Sequence, residues 1–259
     1  MSGPVIHDSG DGPALVLLHA FPLDASQWDA QVAALSGRYR CLRPDFWGCG
    51  SSPPPPGDVS LDSYALDVLR ELDGRGIDQF SVCAGSMGGY VAFALLRLAR
   101  ARLRTLVLAN TRAAADSAEG RAGRRAMAEE VHAGGVEAIV EPMTERMLCS
   151  WCRDEVHIAD PVRGRIRRCT SVGVVTALTA MSDRPDSTEL LDGVHMPTLV
   201  VYGSADPVVS VEEARAMAAA IPGASVEEFG GSAHLTNLEQ PARFSEVLGD
   251  FLDAHATAG

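Results

Sequence analysis

Three residues of this chain have the types and the order that nucleophilic acyl chemistry needs: Ser86, Asp206 and His234. A serine hydroxyl is a weak nucleophile until a base takes its proton, and a histidine base needs a carboxylate to hold its tautomer. Ser86 lies in SVCAGSMGGYVAF, where an apolar run passes through small residues into a helix-like one. The A-x-S-x-G pattern around it suits a sharp strand-to-helix turn. Side chains two residues either side would clash where the strand end meets the helix start. Alone, the stretch fits a nucleophile and a small residue at a packing point equally well. Asp206 in YGSADPVV and His234 in FGGSAHLTNLEQP each follow a later strand-like run, so all three residues fall at strand ends.

Their competitors are weaker. Asp45 in RPDFWGCGSS precedes the serine and reads as a turn acceptor bracing its own loop. Asn110 ends a strand but cannot be an ionised acid. His19 sits beside the loop after the first buried run, where a structural hydrogen bond is expected, and the remaining histidines lack a strand-end setting. An oxyanion formed at Ser86 needs backbone donors. Met87 opens the following helix, and the second donor should come from LLHAFPLDASQW. Pro22 has no N–H, which leaves Ala20 or Phe21, with Phe21 preferred.

These positions require a scaffold. ALVLL (Ala14–Leu18), Tyr39–Leu42, Phe80–Cys83, Leu103–Ala109, Thr198–Tyr202 and Ser225–Phe229 read as strands. Helical periodicity appears over Ser26–Leu35, Leu61–Arg75, Met87–Arg97, Val211–Ala220 and Pro241–Ala254. Such alternation predicts an α/β, doubly wound, mostly parallel sheet with helices on both faces. One further short strand is expected around Val5–His7, and the tail Thr257–Gly259 is expected to fray. Residues 112–186 are Arg-, Glu- and Ala-rich and mostly helical in pattern. They divide the chain into a core, 1–111 with 187–259, and a helical insertion placed to act as a lid at the carboxyl edge of the sheet.

Composition excludes several functions. The net charge is −12 and no basic stripe offsets it, so a nucleic-acid partner is not expected. No apolar run is long enough to cross a membrane, and the N-terminus lacks the pattern of a signal peptide, which points to the cytoplasm. All 22 basic residues are Arg, which removes Schiff-base chemistry on Lys and the phosphate-binding Walker loop. Of the six cysteines only Cys149 and Cys152 form a C-x-x-C; with no second pair nearby, no metal is expected and all six read as ordinary thiols.

Together HAFP, RPDFWGCGSS, AGSMGG, GSADPVV and GGSAHLTNLEQP resemble the motifs of the α/β-hydrolase family, within it those of the 3-oxoadipate enol-lactonase-like esterases and lactonases. The resemblance covers nearly all of the chain except the insertion. It implies the α/β-hydrolase fold, a Ser86–Asp206–His234 triad, an oxyanion hole at Phe21 and Met87, no cofactor, and a small-molecule ester or lactone as substrate. Ala20 and Ala84 stand where Gly is usual, and Gly85 where a larger residue is usual; Gly85 is therefore expected to open space beside Ser86. With Trp28, and with Arg112 as the partner of a substrate carboxylate, it completes the candidate substrate contacts. The same fold also supports acyl transfer, thioester release, cyclisation or elimination, and ligand reception without turnover. Oligomeric state is not encoded in these patterns.

Overall fold

The computed structural model describes residues 3–256; the expected fraying of Thr257–Gly259 lies outside them. Seven strands, β1 (Ile6–Ser9), β2 (Ala14–Leu18), β3 (Arg40–Pro44), β4 (Phe80–Gly85), β5 (Leu103–Ala109), β6 (Thr198–Gly203) and β7 (Ser225–Phe229), form one sheet in the order β1-β3-β2-β4-β5-β6-β7. β1 pairs antiparallel with β3 and every other pairing is parallel. β2, β4 and β6 are buried along their whole length, as strands covered on both faces must be, and apart from Ser81 and Thr198 their residues are apolar. β1 and β7 close the two edges and are the most polar strands.

The pleat of β2 shows the two layers. Val16 and Leu18 join the core on one face, with α2 (Leu61–Gly74) and α3 (Met87–Ala99); Leu15 and Leu17 join the core on the other, with α1 (Asp29–Leu35) and the C-terminal helix Pro241–Ala254. Helix α2 turns Leu61, Tyr64, Ala65, Val68, Leu69 and Leu72 inward, and a capping box of Ser60 and Ser63 starts it. The helix expected from Ser26 begins instead as a 3-10 turn, Ala25–Trp28, because Asp24 accepts the Ser26 N–H and tightens the entry.

Between β5 and β6 the described chain is helical: α4 (Ala118–Gly134), α5 (Glu137–Met147), α6 (Ser150–Asp154), α7 (Val156–Arg167) and α8 (Ser171–Ser182). α9 (Val211–Ala220), α10 (Thr236–Glu239) and α11 (Pro241–Ala254) return to the sheet. One expectation fails here. Four of the six cysteines are paired, Cys49 with Cys169 and Cys149 with Cys152, and only Cys41 and Cys83 are free, both buried. The first pair is separated by 120 residues, so only the tertiary fold brings it together. In the second, Cys149 precedes the one-turn helix α6, which places Cys152 on the same side of the turn.

Candidate active site

Ser86 follows β4 and caps α3, with φ 50° and ψ −112°. A positive φ is strained for a residue with a Cβ, and here neighbours hold it. Ser86 N–H donates to Ala109 O at 2.9 Å, and the Thr111 hydroxyl donates to Ser86 O at 2.8 Å. Gly88 explains the need for a small residue: a Cβ there would collide with the Leu18 carbonyl of β2. The Ser86 hydroxyl is thereby left at the carboxyl ends of the strands.

His234 and Asp206 reach the same point from the loops after β7 and β6. His234 Nε2 is 2.7 Å from Ser86 Oγ, and Nδ1 is 2.8 Å from Asp206 Oδ2. The Asp206 side chain is fully buried. Burial opposes its charge, but His234, the Asn110 amide and the Val208 N–H outweigh that and hold its carboxyl below the usual range. The carboxylate stays ionised and accepts from Nδ1–H, so Nε2 is left to accept the serine proton.

Asn110 cannot ionise, yet it is built into this site. Its Nδ2 donates to Asp206 Oδ2 at 3.0 Å and to Ala233 O at 3.1 Å, while its Oδ1 accepts from the Thr236 hydroxyl at 2.8 Å. Its φ of 49° is one that Asn tolerates better than most residues. The available signal was its position, at a strand end like those of the other three.

The loop after β2 is held from below. His19 is fully buried; its Nδ1 lies 2.9 Å from Ala20 O and its Nε2 accepts the Phe46 N–H at 2.9 Å. Burial lowers its pKa, which keeps it neutral for that pair of bonds. The Ala20 N–H donates to Gln27 Oε1 at 2.7 Å, so of the two residues weighed as oxyanion donors Ala20 is already committed. Phe21 lines the cavity with Ser86 and His234. Met87 is the first residue of α3, where backbone N–H groups have no partner within the helix. Asp45 braces its loop as expected, accepting from Ala25 and Ser51 N–H.

Gly85 and Trp28 do not contact the cavity. A Cβ on Gly85 would point at Gln27 Nε2, 3.1 Å away, and at the Trp28 ring, and Trp28 is buried in the core under the sheet. The missing side chain makes room for Gln27, not for substrate. Gln27 in turn joins a buried amide network: Asn237 Nδ2 donates to Gln27 O at 2.9 Å and to Gln31 Oε1 at 3.2 Å, and Gln27 Nε2 donates to Asn237 Oδ1 at 3.2 Å.

The cavity above Ser86 has a volume of about 420 Å³. Met127, Met143, Met147, Met181 and Leu178 supply an apolar wall from the inserted helices, and Arg112, Asp116, Glu119, Arg124 and Arg146 a charged one. Arg112 does border the cavity, but its terminal nitrogens are engaged by Val208 O, Glu213 and Asp116, each at 3.3 Å. Asp116 is buried and also pairs with Arg124 and Arg184. Burial opposes its ionisation, but these guanidinium groups lower its pKa to about 2.

With this geometry in view, the comparisons are specific. The family model described as "Alpha/beta hydrolase family" matches residues 15–247. The chain belongs to that family. Among its members, 3-oxoadipate enol-lactonase 1 of Acinetobacter baylyi is 30% identical over 252 residues, spanning 95% of this chain and 91% of that protein. A thermophilic esterase from Thermogutta terrifontis, solved with malate bound, superposes with a TM-score of 0.94 at 36% identity, over 98% of this chain and 94% of that one. The enol-lactonase from Burkholderia xenovorans LB400 gives a TM-score of 0.89 at 28% identity, over 96% of each chain. In this α/β hydrolase no described helix is long and apolar enough to cross a membrane.

Proposed function

We propose that this α/β hydrolase cleaves carboxylic esters or lactones through an acyl-enzyme on Ser86. The observation that carries the reading is the continuous contact from Ser86 Oγ through His234 to the buried Asp206 carboxylate. His234 Nε2 takes the hydroxyl proton as Oγ attacks the carbonyl carbon. Phe21 and Met87 N–H receive the tetrahedral oxyanion. His234 then protonates the leaving oxygen, while Asp206 holds the imidazolium. Water, deprotonated by the same His234, releases the acid. Asn110 keeps Asp206 in register.

Relatives that are enol-lactonases and esterases support the ester and lactone class. The cavity suits a small acyl group laid along the methionines, whose flexible thioethers adapt to shape. Its arginines favour a substrate that carries a carboxylate away from the scissile bond. Arg146 is exposed, and among the described residues no ion pair engages it; Arg112 is already held by two carboxylates. The inserted helices, 112–186, serve as the lid that closes over this carboxylate.

Labelling with a fluorophosphonate followed by peptide mass mapping tests the reading. Modification should fall on Ser86, and Ser86→Ala should lose p-nitrophenyl acetate hydrolysis by roughly 10⁶-fold in kcat. Labelling elsewhere, or full turnover by the variant, would sink it. Arg146→Ala should raise KM for a carboxylated lactone and leave a neutral ester unaffected.

A further inference from the structure

Cys149 and Cys152 take no part in this chemistry, yet they border its base. The two sulfurs are bonded, and they and a carboxylate oxygen of Glu239 all lie within 4.8 Å of one another, with all three residues buried. Both oxygens of Glu239 are in use. Oε1 accepts the Cys149 N–H at 2.8 Å and Oε2 the Ala233 N–H at 2.7 Å. His234 N–H donates to Met147 O at 3.1 Å. Three hydrogen bonds thus clasp residues 147–149, where α5 passes into α6, to the peptide that carries His234.

We propose that Cys149 and Cys152 are a thiol–disulfide redox site, and that Glu239 transmits its state to His234. The proposal rests on the reading of His234 as the catalytic base. With a small disulfide such as glutathione disulfide as oxidant, one protein sulfur attacks as thiolate and expels one glutathione thiolate, and the second protein sulfur then attacks the first and displaces the other glutathione from the mixed disulfide. One S–S bond forms and one breaks, the two electrons reduce the oxidant, and both thiol protons end on the two released thiols. The reverse reaction cannot leave the protein sulfurs where they are. Unbonded sulfurs must part, in an interior packed without slack. Cys149 is one of the two residues that move, and its N–H is half of the Glu239 clasp. That movement loosens the hold on Ala233 and His234. Glu239 and the cysteines are positioning residues, because none of them touches substrate.

The test equilibrates the protein in glutathione buffers from oxidised to reduced. It reads three signals: alkylation and mass mapping of the 149–152 bond, kcat/KM for a p-nitrophenyl ester, and the hydrogen-bonded imidazole N–H resonance of His234. In wild type, reduction should lower kcat/KM about fivefold, the worth of one net hydrogen bond. The resonance should shift in step with the mapped bond. Cys49→Ser/Cys169→Ser should keep this response, and Cys149→Ser/Cys152→Ser should lose it. Free thiols at both positions in glutathione disulfide would overturn the proposal. So would zinc retained by the reduced pair in place of a disulfide, or a bond that opens and closes while the His234 resonance stays fixed. Absence of Ser86-dependent turnover would sink the hydrolase reading instead, leaving mapping and resonance to decide this one.

Discussion

Two amides brace Asp206 and the loop after β2, and neither has a sequence signature. Ser86, Asp206 and His234 stand out in the sequence because their chemistry is particular and each follows a strand, and the structure brings them into contact. Asn110 and Gln27 are ordinary residue types whose importance comes from what they meet: Asp206 and Ala233 for one, Ala20 and Asn237 for the other. Asn110→Ala removes a hydrogen bond to a buried carboxylate, so kcat should fall about 10- to 100-fold with KM little changed. Steady-state kinetics with an unaltered kcat would show that Asp206 needs no such brace. The same logic inverts the reading of Gly85. A larger residue there pushes on the Gln27 amide, which holds the Ala20 N–H beside Phe21. Gly85→Leu should therefore lower kcat through the loop proposed to receive the oxyanion. A change confined to KM would return Gly85 to the substrate.

Among the elements, the inner strands were legible as short apolar runs and the sheet helices by one helical period with one apolar face. β5, β7, α9 and α11 fall where the patterns place them, while β3 runs to Pro44 and β4 to Gly85, past the ends of their apolar runs. The inserted helices were legible as helices but not in their arrangement, since part of what ties them down joins residues distant in sequence. Asp116 pairs with Arg112 after β5 and Arg124 on α4, both nearby in the chain, and also with Arg184 after α8. Arg184 also lies 4.0 Å over the Tyr90 ring. Removing the charge of Asp116 strands these cations, so Asp116→Asn should cost about 3–5 kcal/mol in urea unfolding at neutral pH. The pH dependence has a definite sign. The native carboxyl is lowered to about 2 from an ordinary 3.8, so its contribution is complete above that ordinary value and is lost as pH falls toward 2. Wild type and variant should converge in stability across that window. A gap that stays constant through it would mean that Asp116 acts through packing alone.

At the scale of the whole molecule, the question is what keeps the inserted helices registered on the sheet. The Cys49–Cys169 bond joins the loop after β3 to the turn between α7 and α8. Thr170 N–H donates to Gly48 O at 2.6 Å beside it, and the Cys169 sulfur lies 3.4 Å from Pro22 O, next to Phe21, the proposed oxyanion donor. One covalent link therefore fastens the insertion to the loop after β3, beside the Phe21–Pro22 peptide. No spacing rule could reveal it, because the partners are 120 residues apart and each alone is an unremarkable cysteine. Closing a loop of that length removes unfolded-chain entropy worth about 5 kcal/mol in the chain-entropy picture. The bond persists only where thiols are not kept reduced, so the stability of the molecule depends on its surroundings, not on its contacts alone. Cys49→Ser/Cys169→Ser should lower the unfolding free energy by up to about 5 kcal/mol in non-reducing buffer. In dithiothreitol, wild type should fall to the level of the variant. Equal stability of the two proteins in non-reducing buffer would show that noncovalent packing of α7 and α8 suffices to hold the insertion in place.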